Sequence, residues 1–342
     1  MGESFSRDGV TVHNWDAIDL YDSWEAPTVI VSDGAYGVSG FPGDPPTPEG
    51  LAKWYGPHIA IWSMRSSPMT TLWFWNTELG WATVHPVLLR HGWRFRNCHI
   101  WDKGMAHVAG NSNTQSLRKY PVVTEVCVQY VKEAEFRVGE RTVGMKEWLR
   151  LEWKRSGLPF NKANEAAGVK NAATRKYLTE DHLWYFPPPE EFERLVDYAN
   201  KHGRPGGRPY FSMDGSSPLT GSEWMRMRAK FYCDAGITNV WREPPLNGIE
   251  RLKVGPRAVH LNQKPLKMIE RIIKASSDLD DVVWEPFGGL CPAAVASLIL
   301  GRRCRSAETD KNFYKLAVRR LASAAEGRAA YGLAPPKDMV EG

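Results

Sequence analysis

Residues 282–308 contain the pattern that most restricts the folds open to this chain. Residues 282–284 form a short apolar run, which is typical of a buried parallel strand. Gly288 and Gly289 follow, and they allow the backbone to turn sharply and to approach a ligand. Residues 292–300 are apolar with proline first, which predicts a buried helix. The sequence therefore predicts a strand, a glycine turn and a helix in direct succession.

The next predicted strand, residues 304–307, ends at an acid, Glu308. This acid stands about 20 residues after the glycine turn, where a doubly wound α/β sheet places the carboxylate that binds a ribose diol. A glycine turn alone is weak evidence, because any strand–helix–strand unit can contain one. The pattern thus indicates either a nucleoside-binding edge or an ordinary α/β unit, and other motifs must decide between them.

The composition fits a soluble globular protein with one large α/β domain and a smaller second region. The chain has 342 residues, of which 42% are hydrophobic and 24% charged. No apolar run approaches the ~20 residues that cross a bilayer, and the polar residues 1–8 do not resemble a signal peptide. The five cysteines include no CxxC pair, which argues for reduced thiols and against a zinc site. We therefore expect a cytoplasmic protein without a metal site or membrane association.

Two further predicted strands end in acids. Residues 10–16 end in Asp16, and residues 28–33 end in Asp33, which leads into a turn of small residues. Both carboxylates would lie at the C-terminal edge of one parallel sheet, which is where open α/β sheets bind ligands. The alternative is that both acids are ordinary caps at the ends of strands.

The positive charge of the chain is concentrated in residues 137–176. This segment has ten Lys or Arg residues against four acids, and that excess is larger than the net charge of +5 for the whole chain. Such a concentration is typical of a nucleic-acid-binding surface. Residues 161–167 and 171–178 predict two helices joined by a turn at Gly168, which is the spacing of a helix-turn-helix. The candidate DNA contacts on or near the second helix are Lys170, Asn171, Thr174, Arg175 and Lys176. The alternative is a helical hairpin with a solvated basic face.

A stretch rich in Gly, Pro and Arg, residues 203–209, predicts a domain boundary. We accordingly expect residues 1–136 and 210–330 to form two halves of one α/β domain. Residues 137–209 would be a mostly helical basic insertion, and residues 331–342 a tail.

Three segments resemble motifs of DNA amino-methyltransferases. Glu-Pro-Phe-Gly-Gly at 285–289 is similar to the loop that binds S-adenosylmethionine (AdoMet), for which the family usually has Asp-Pro-Phe-x-Gly-Ser/Thr-Gly-Thr. Here Glu replaces Asp, and Leu-Cys-Pro at 290–292 replaces the small residues that close the loop. Asp-Gly-Ala-Tyr at 33–36 resembles the catalytic Asp/Asn/Ser-Pro-Pro-Tyr/Phe turn, with both prolines replaced. Gln-Lys-Pro at 263–265 resembles the segment that packs beside the AdoMet methionine.

The order of these motifs is that of the β-class amino-methyltransferases, in which the catalytic turn precedes the AdoMet loop. The resemblance implies an α/β fold with a Rossmann-like, seven-stranded AdoMet methyltransferase sheet and an inserted, mostly helical target-recognition region. It implies AdoMet as the cofactor and double-stranded DNA as the partner, with a homodimer as a possible state. Residues 1–136 would then hold the catalytic half and residues 210–330 the AdoMet-binding half.

The resemblance also assigns roles to individual residues. Asp33 and the carbonyl of Gly34 would accept the hydrogens of an exocyclic amino group, while Tyr36 would stack on a flipped base. The implied cofactor-binding residues are Asp16, Lys264, Pro265, Glu285, Phe287, Gly288, Gly289 and Glu308.

The implied activity is site-specific DNA methylation of the restriction–modification type. Asp at the first position of the catalytic turn favours adenine N6 over cytosine N4. Two other classes stay open, namely an RNA or small-molecule methyltransferase and a catalytically impaired DNA-binding regulator. The altered residues at 290–292 keep the regulator in consideration.

Overall fold

The structure is a computed structural model that describes residues 2–39, 43–104, 117–246, 253–254, 257–258 and 263–326. The predicted tail at 331–342, residues 260–262 and part of a Gly/Pro-rich loop at 40–46 lie outside the described residues. The chain separates into two compact units, one formed by Met1–Lys132 with Ala229–Gly342 and the other by Glu133–Arg228. The second unit contains the predicted insertion at 137–209 but begins earlier and ends later than the sequence predicted.

The strands are β1 (Ser4–Arg7), β2 (Val10–His13), β3 (Val29–Ser32), β4 (Thr71–Asn76), β5 (Arg94–Asp102), β6 (Thr124–Val131), β7 (Glu135–Val138), β8 (Arg141–Gly144), β9 (Val240–Arg242), β10 (Lys253–Val254), β11 (Arg257–Ala258), β12 (Val282–Glu285) and β13 (Arg303–Ala307). The α-helices are α1 (Leu51–Arg65), α2 (Glu78–Arg90), α3 (Met145–Arg155), α4 (Lys162–Ala167), α5 (Pro189–His202), α6 (Gly221–Met225), α7 (Leu266–Ser276), α8 (Pro292–Leu300) and α9 (Lys311–Ala325). In the described part of the chain, no helix is long and apolar enough to cross a membrane.

The first unit is built on one large sheet. Among the described residues it has nine strands, in the order β1-β2-β13-β12-β3-β4-β6-β5-β9. Strands β2, β13, β12, β3 and β4 run parallel, whereas β6 is antiparallel to both β4 and β5. The seven strands from β2 to β5 form the predicted Rossmann-like sheet, so the fold class is confirmed. The strands β1 and β9 extend the sheet at its two edges beyond the seven strands that we predicted.

Both faces of the sheet are covered, as a doubly wound fold requires. Successive side chains of a strand point to opposite faces, and β4 shows this directly. Trp73 and Trp75 pack with residues of α7 and α8 on one face. Leu72 and Phe74 pack with residues of α1 and α2 on the other. This packing fixes the register of the strand and with it the positions of the residues at its end.

The sheet brings the predicted acids to one edge. Asp33 directly follows β3, Glu285 is the last residue of β12, and Glu308 directly follows β13. Because β6 is antiparallel, its first residues lie at the same edge, where Glu125 pairs with Trp101 of β5. The site is therefore assembled from the ends of parallel strands and the beginning of an antiparallel one.

The second unit has its own core, in which Trp148, Phe192 and Trp224 are buried. In the same unit, Glu152 is 2% exposed and forms ion pairs with Arg155 at 2.7 Å and with Arg208 at 2.5 Å. A buried carboxylate is tolerated when its oxygens are paired in this way. The unit contains sixteen Lys or Arg and fourteen Asp or Glu residues, so its excess of positive charge is confined to the segment at 137–176.

The prediction of a second helix at 171–178 was wrong in its extent. The first helix is α4, and it ends at the predicted turn, where Gly168 adopts the left-handed conformation. The second segment is only a five-residue π-helical turn, Ala173–Tyr177. The turn closes with the N–H of Leu178 donating to the carbonyl of Ala173 at 2.9 Å, five residues back, and the N–H of Thr174 donates to the side chain of Asn164 at 3.1 Å.

Candidate active site

The turn after β3 carries a carboxylate whose first oxygen is held by two donors. The hydroxyl of Tyr36 donates to Oδ1 of Asp33 at 2.7 Å. Nζ of Lys264 lies 2.9 Å from the same oxygen. The structure describes no hydrogen-bond partner for Oδ2 of Asp33, and this residue is not fully buried. The turn therefore presents one fixed and one available carboxylate oxygen.

Lys264 contacts this turn and directly precedes Pro265, which is the N-cap residue of α7. The Lys264 side chain is 1% exposed, and its Nζ also donates to the hydroxyl of Tyr36 at 2.8 Å. Burial by itself would lower the pKa of Lys264, but the charges of Asp33 and Glu125 outweigh burial and raise that pKa. Lys264 was predicted to bind the cofactor, and the structure places its ammonium group against the turn at 33–36.

Glu125 and Lys103 are the site residues that sequence reasoning missed. Oε2 of Glu125 lies 3.2 Å from the Tyr36 hydroxyl and 3.3 Å from Nζ of Lys264. Its other oxygen, Oε1, forms an ion pair with Lys103. Burial would raise the pKa of Glu125, but the positive charges of Lys264 and Lys103 lower it. The resulting cluster of Asp33, Tyr36, Glu125, Lys264 and Lys103 balances two carboxylates against two ammonium groups.

Glu285 stabilises the loop between β12 and α8 through hydrogen bonds. This residue is 2% exposed and accepts from the backbone N–H of Ala293 at 2.6 Å and of Ala294 at 3.1 Å. The hydroxyl of Ser306 donates to it at 2.7 Å. Burial raises the pKa of Glu285 to about 8. Both oxygens are thus used to cap the first turn of α8, so Glu285 shapes the loop predicted to bind the cofactor.

The three altered residues at 290–292 are compatible with a tight loop. Cys291 adopts the left-handed conformation with φ +49°, which explains why the family has glycine at this position. Pro292 begins α8, where its missing N–H is not needed. A Cβ atom on Gly288 would lie 2.6 Å from Sγ of Cys291, so glycine is required at 288.

Glu308 links the end of β13 to the glycine turn. Its Oε2 accepts from the N–H of Gly289 at 2.5 Å and its Oε1 from the N–H of Asp310 at 2.6 Å. Burial raises the pKa of Glu308 to about 7, and these two hydrogen bonds oppose the rise. Asp16 is exposed and caps a short 3₁₀ turn by accepting from the N–H of Ile18 at 3.0 Å. Glu308 and the glycine turn are therefore hydrogen-bonded to each other at the predicted cofactor position.

Phe287 sits against the aromatic side chains of α1. Its ring centroid lies 4.9 Å from that of His58 and 5.0 Å from that of Trp54. Burial lowers the pKa of His58 to about 4, so this ring is neutral near pH 7. A Cβ atom on Gly34 would lie 2.5 Å from Cδ2 of Phe287, so the turn at 33–36 and the loop are in direct contact.

The candidate DNA contacts lie in the second unit. Four of the five side chains are exposed, namely Lys170, Asn171, Arg175 and Lys176. Thr174 is partly buried, and its hydroxyl accepts from Nδ2 of Asn164 at 3.0 Å. Thr174 is therefore committed to holding the turn, while the exposed residues remain available to a ligand.

The strand order defines a doubly wound α/β fold with several acids at one edge of its sheet. The DNA methylase family model N6_N4_Mtase matches residues 29–319 of the chain. This protein therefore belongs to that DNA methylase family, and the predicted family is confirmed.

Similar proteins include two curated type II methyltransferases. M2.MboI of Moraxella bovis is 28% identical over 141 residues, which cover 39% of this chain and 45% of that protein. M.ScaI of Streptomyces caespitosus is 27% identical over 168 residues, which cover 48% of this chain and 49% of that protein. The matches thus span about half the length of these relatives. Among solved structures, the PvuII DNA methyltransferase (cytosine-N4-specific) shares the fold, with a TM-score of 0.50, 8% identity and coverage of 93% of this chain and 92% of that chain.

Proposed function

We propose that this protein transfers a methyl group from AdoMet to the exocyclic amino group of a base in double-stranded DNA, with adenine N6 favoured over cytosine N4. The observation that carries the proposal is the state of Asp33. Tyr36 and Lys264 hold its Oδ1 at 2.7 and 2.9 Å, and the described residues leave its Oδ2 without a partner. A fixed carboxylate with one available oxygen is suited to accept a hydrogen from an amino group.

The carbonyl of Gly34 supplies the second acceptor. An exocyclic amino group is a poor nucleophile because its lone pair is delocalised into the base, and two acceptors for its hydrogens localise that lone pair. The neighbouring carbonyl of Ala35 already accepts from Tyr55 at 3.2 Å and from Asn76 at 2.9 Å. The carbonyl of Gly34 accepts no hydrogen bond from the described residues, so it is available beside Asp33.

Tyr36 is proposed to contact the base as well. Tyr36 is 8% exposed, and its hydroxyl donates to Asp33. A base that has left the duplex would therefore stack on the small exposed part of the Tyr36 ring.

The residues at the edge of the sheet fit AdoMet. Glu308 offers a carboxylate for a ribose diol, and it is joined to Gly289, where the backbone can approach a ligand. Asp16 is exposed near the end of the adjacent strand and can accept from an amino group. Phe287 adds an aromatic surface between the catalytic turn and the loop. When bound, AdoMet supplies a methyl group on a positively charged sulfur, and the chain contributes the positioning of both reactants.

The second unit is proposed to bind the duplex through its basic segment. Lys170, Arg175 and Lys176 are exposed there, and the structure describes no ion pair for any of them. Such residues neutralise phosphates without reading sequence. Because the substrate is DNA, we expect the protein in the cytoplasm. A homodimer stays a prediction, which sedimentation of the purified chain tests.

The experiment is methyl transfer from radiolabelled AdoMet to unmethylated genomic DNA, followed by digestion and identification of the labelled nucleoside. N6-methyladenine supports the favoured base, and N4-methylcytosine supports the alternative. Asp33→Ala should abolish transfer but leave DNA binding intact, whereas Asp22→Ala, at an exposed acid, should behave as wild type. Labelling of RNA but not of DNA would contradict the proposal. AdoMet binding without transfer to either would instead support the regulator.

A further inference from the structure

Glu125 is a buried carboxylate to which the proposed chemistry gives no role. The residue is 8% exposed. Its Oε2 lies 3.2 Å from the Tyr36 hydroxyl and 3.3 Å from Nζ of Lys264, and its Oε1 is paired with Lys103. Burying a carboxylate is costly, and here both oxygens are committed to partners. The specific arrangement of these partners indicates what the residue does.

The partners of the Lys264 ammonium group include three oxygens of the proposed site. These are Oδ1 of Asp33 at 2.9 Å, the Tyr36 hydroxyl at 2.8 Å and Oε2 of Glu125 at 3.3 Å. With Glu125 present, the ammonium group is held on the Oδ1 side of Asp33. Without the negative charge of Glu125, the ammonium group would be drawn by Asp33 alone among the described carboxylates and could shift toward its Oδ2, the oxygen that the substrate amino group requires.

We infer that Glu125 is a positioning residue, which holds Lys264 and Tyr36 on one oxygen of Asp33 so that the other oxygen stays available to the substrate. This inference rests on the proposed methyl transfer. Lys103 completes the arrangement by pairing with Oε1 of Glu125, which leaves Oε2 for Lys264 and Tyr36. The lowered pKa of Glu125 agrees with a carboxylate that stays ionised near pH 7.

The first test is single-turnover methyl transfer by Glu125→Gln. The amide keeps the size of the side chain but can offer its one oxygen to only one of the two lysines. We expect the rate constant to fall about 10- to 100-fold, because misplacement of reacting groups has effects of that order. The dissociation constants for AdoMet and DNA should stay within about threefold of wild type, because the change affects the reacting geometry alone.

A double-mutant cycle distinguishes positioning through Lys264 from an independent role. If Glu125 acts by holding Lys264, then Glu125→Gln/Lys264→Met should transfer no more slowly than the slower single variant. Rate losses that multiply in the double variant would overturn the inference.

A second variant guards against misfolding. Glu125→Met/Lys103→Met removes the ion pair as a unit, so neither charge is left buried without its partner. This protein should fold and should show the same loss in rate constant. The matched control is Gln129→Met, which replaces a buried polar residue on the same face of β6 and should transfer at the wild-type rate.

The possible outcomes separate the inference from the proposed function. A wild-type chain that labels no DNA overturns the proposed function and the inference with it. A wild-type chain that labels DNA, together with Glu125→Gln and Glu125→Met/Lys103→Met rate constants within about threefold of it, overturns the inference alone.

Discussion

Gly34 and Phe287 fit together so closely that a Cβ atom on Gly34 would lie 2.5 Å from Cδ2 of the Phe287 ring. Gly34 belongs to the turn proposed to be catalytic, and Phe287 belongs to the loop before α8. The phenyl ring is itself held by His58 and Trp54 of α1. The position of the turn is therefore set by the loop, although the prolines that usually stiffen this turn in the family are missing.

This contact predicts that Gly34→Ala is harmful. Overpacking against Phe287 should lower the free energy of unfolding by about 1–3 kcal/mol, and displacement of the turn should slow methyl transfer about 100-fold. Thermal unfolding and single-turnover transfer measure the two effects. The control is Gly56→Ala, because a Cβ atom on Gly56 meets nothing within 4 Å. If Gly34→Ala matches this control, the contact does not position the turn.

The sequence predicted best the segments in which local signals agree. Helix α8 begins at Pro292, the proline that predicted its start, and ends at Leu300, the last residue of the predicted apolar run. Strand β3 was predicted from a β-branched run that ends in an acid, and the structure places Asp33 there. These signals depend on neighbouring residues only, so they can be read from the chain.

The parts that were missed depend on contacts between distant residues. Glu125 joins the site because β6 runs antiparallel to its neighbours, which brings its first residues to the C-terminal edge of the parallel strands. A hydrophobic pattern identifies a strand but not its direction. Similarly, Asn164 captures the N–H of Thr174 across ten residues, and no local pattern predicted that bond. The sheet also has more strands than predicted. Its edge strand β9 is only three residues long, and so short a segment shows no clear hydrophobic pattern.

Cys291 leads to a prediction about stability. Its φ of +49° costs about 1–2 kcal/mol for a residue with a side chain, yet its buried thiol lies 3.3 Å from the Ser306 hydroxyl. Cys291→Ala keeps the strain and loses the thiol, whereas Cys291→Gly loses the thiol and relieves the strain. We therefore expect the glycine variant to be the more stable of the two, by about 1 kcal/mol in urea unfolding.

The matched control for this comparison is Cys304, which is buried in β13 and has no positive φ. At that position the alanine variant should be more stable than the glycine variant, because glycine weakens a strand interior. If the alanine variant is the more stable one at both cysteines, the backbone of Cys291 is not strained.

Glu308 predicts a pH dependence of AdoMet binding. Burial raises the pKa of its carboxyl group to about 7, so below that pH the free protein carries a proton that a diol-binding carboxylate must lose. AdoMet affinity should therefore rise with pH, by up to about tenfold per unit below pH 7, and should level off above pH 8. Calorimetry between pH 6 and 9 measures this. Glu308→Gln should bind more weakly and should lose this part of the pH dependence, while groups on AdoMet titrate alike with both proteins. Parallel pH profiles would assign the titration elsewhere.

The exposed cations of the π-helical turn predict how DNA binding depends on salt. Arg175 and Lys176 are exposed, and each phosphate that a cation neutralises adds about 1 to the slope of log K against log salt. Arg175→Ala/Lys176→Ala should therefore weaken binding to any duplex and lower that slope by about 2. Filter binding between 50 and 200 mM salt measures the slope. Lys201→Ala is the matched control, because Lys201 is exposed on α5 outside the basic segment. An unchanged slope in the double variant, or an equal loss in the control, would place the DNA-binding surface elsewhere.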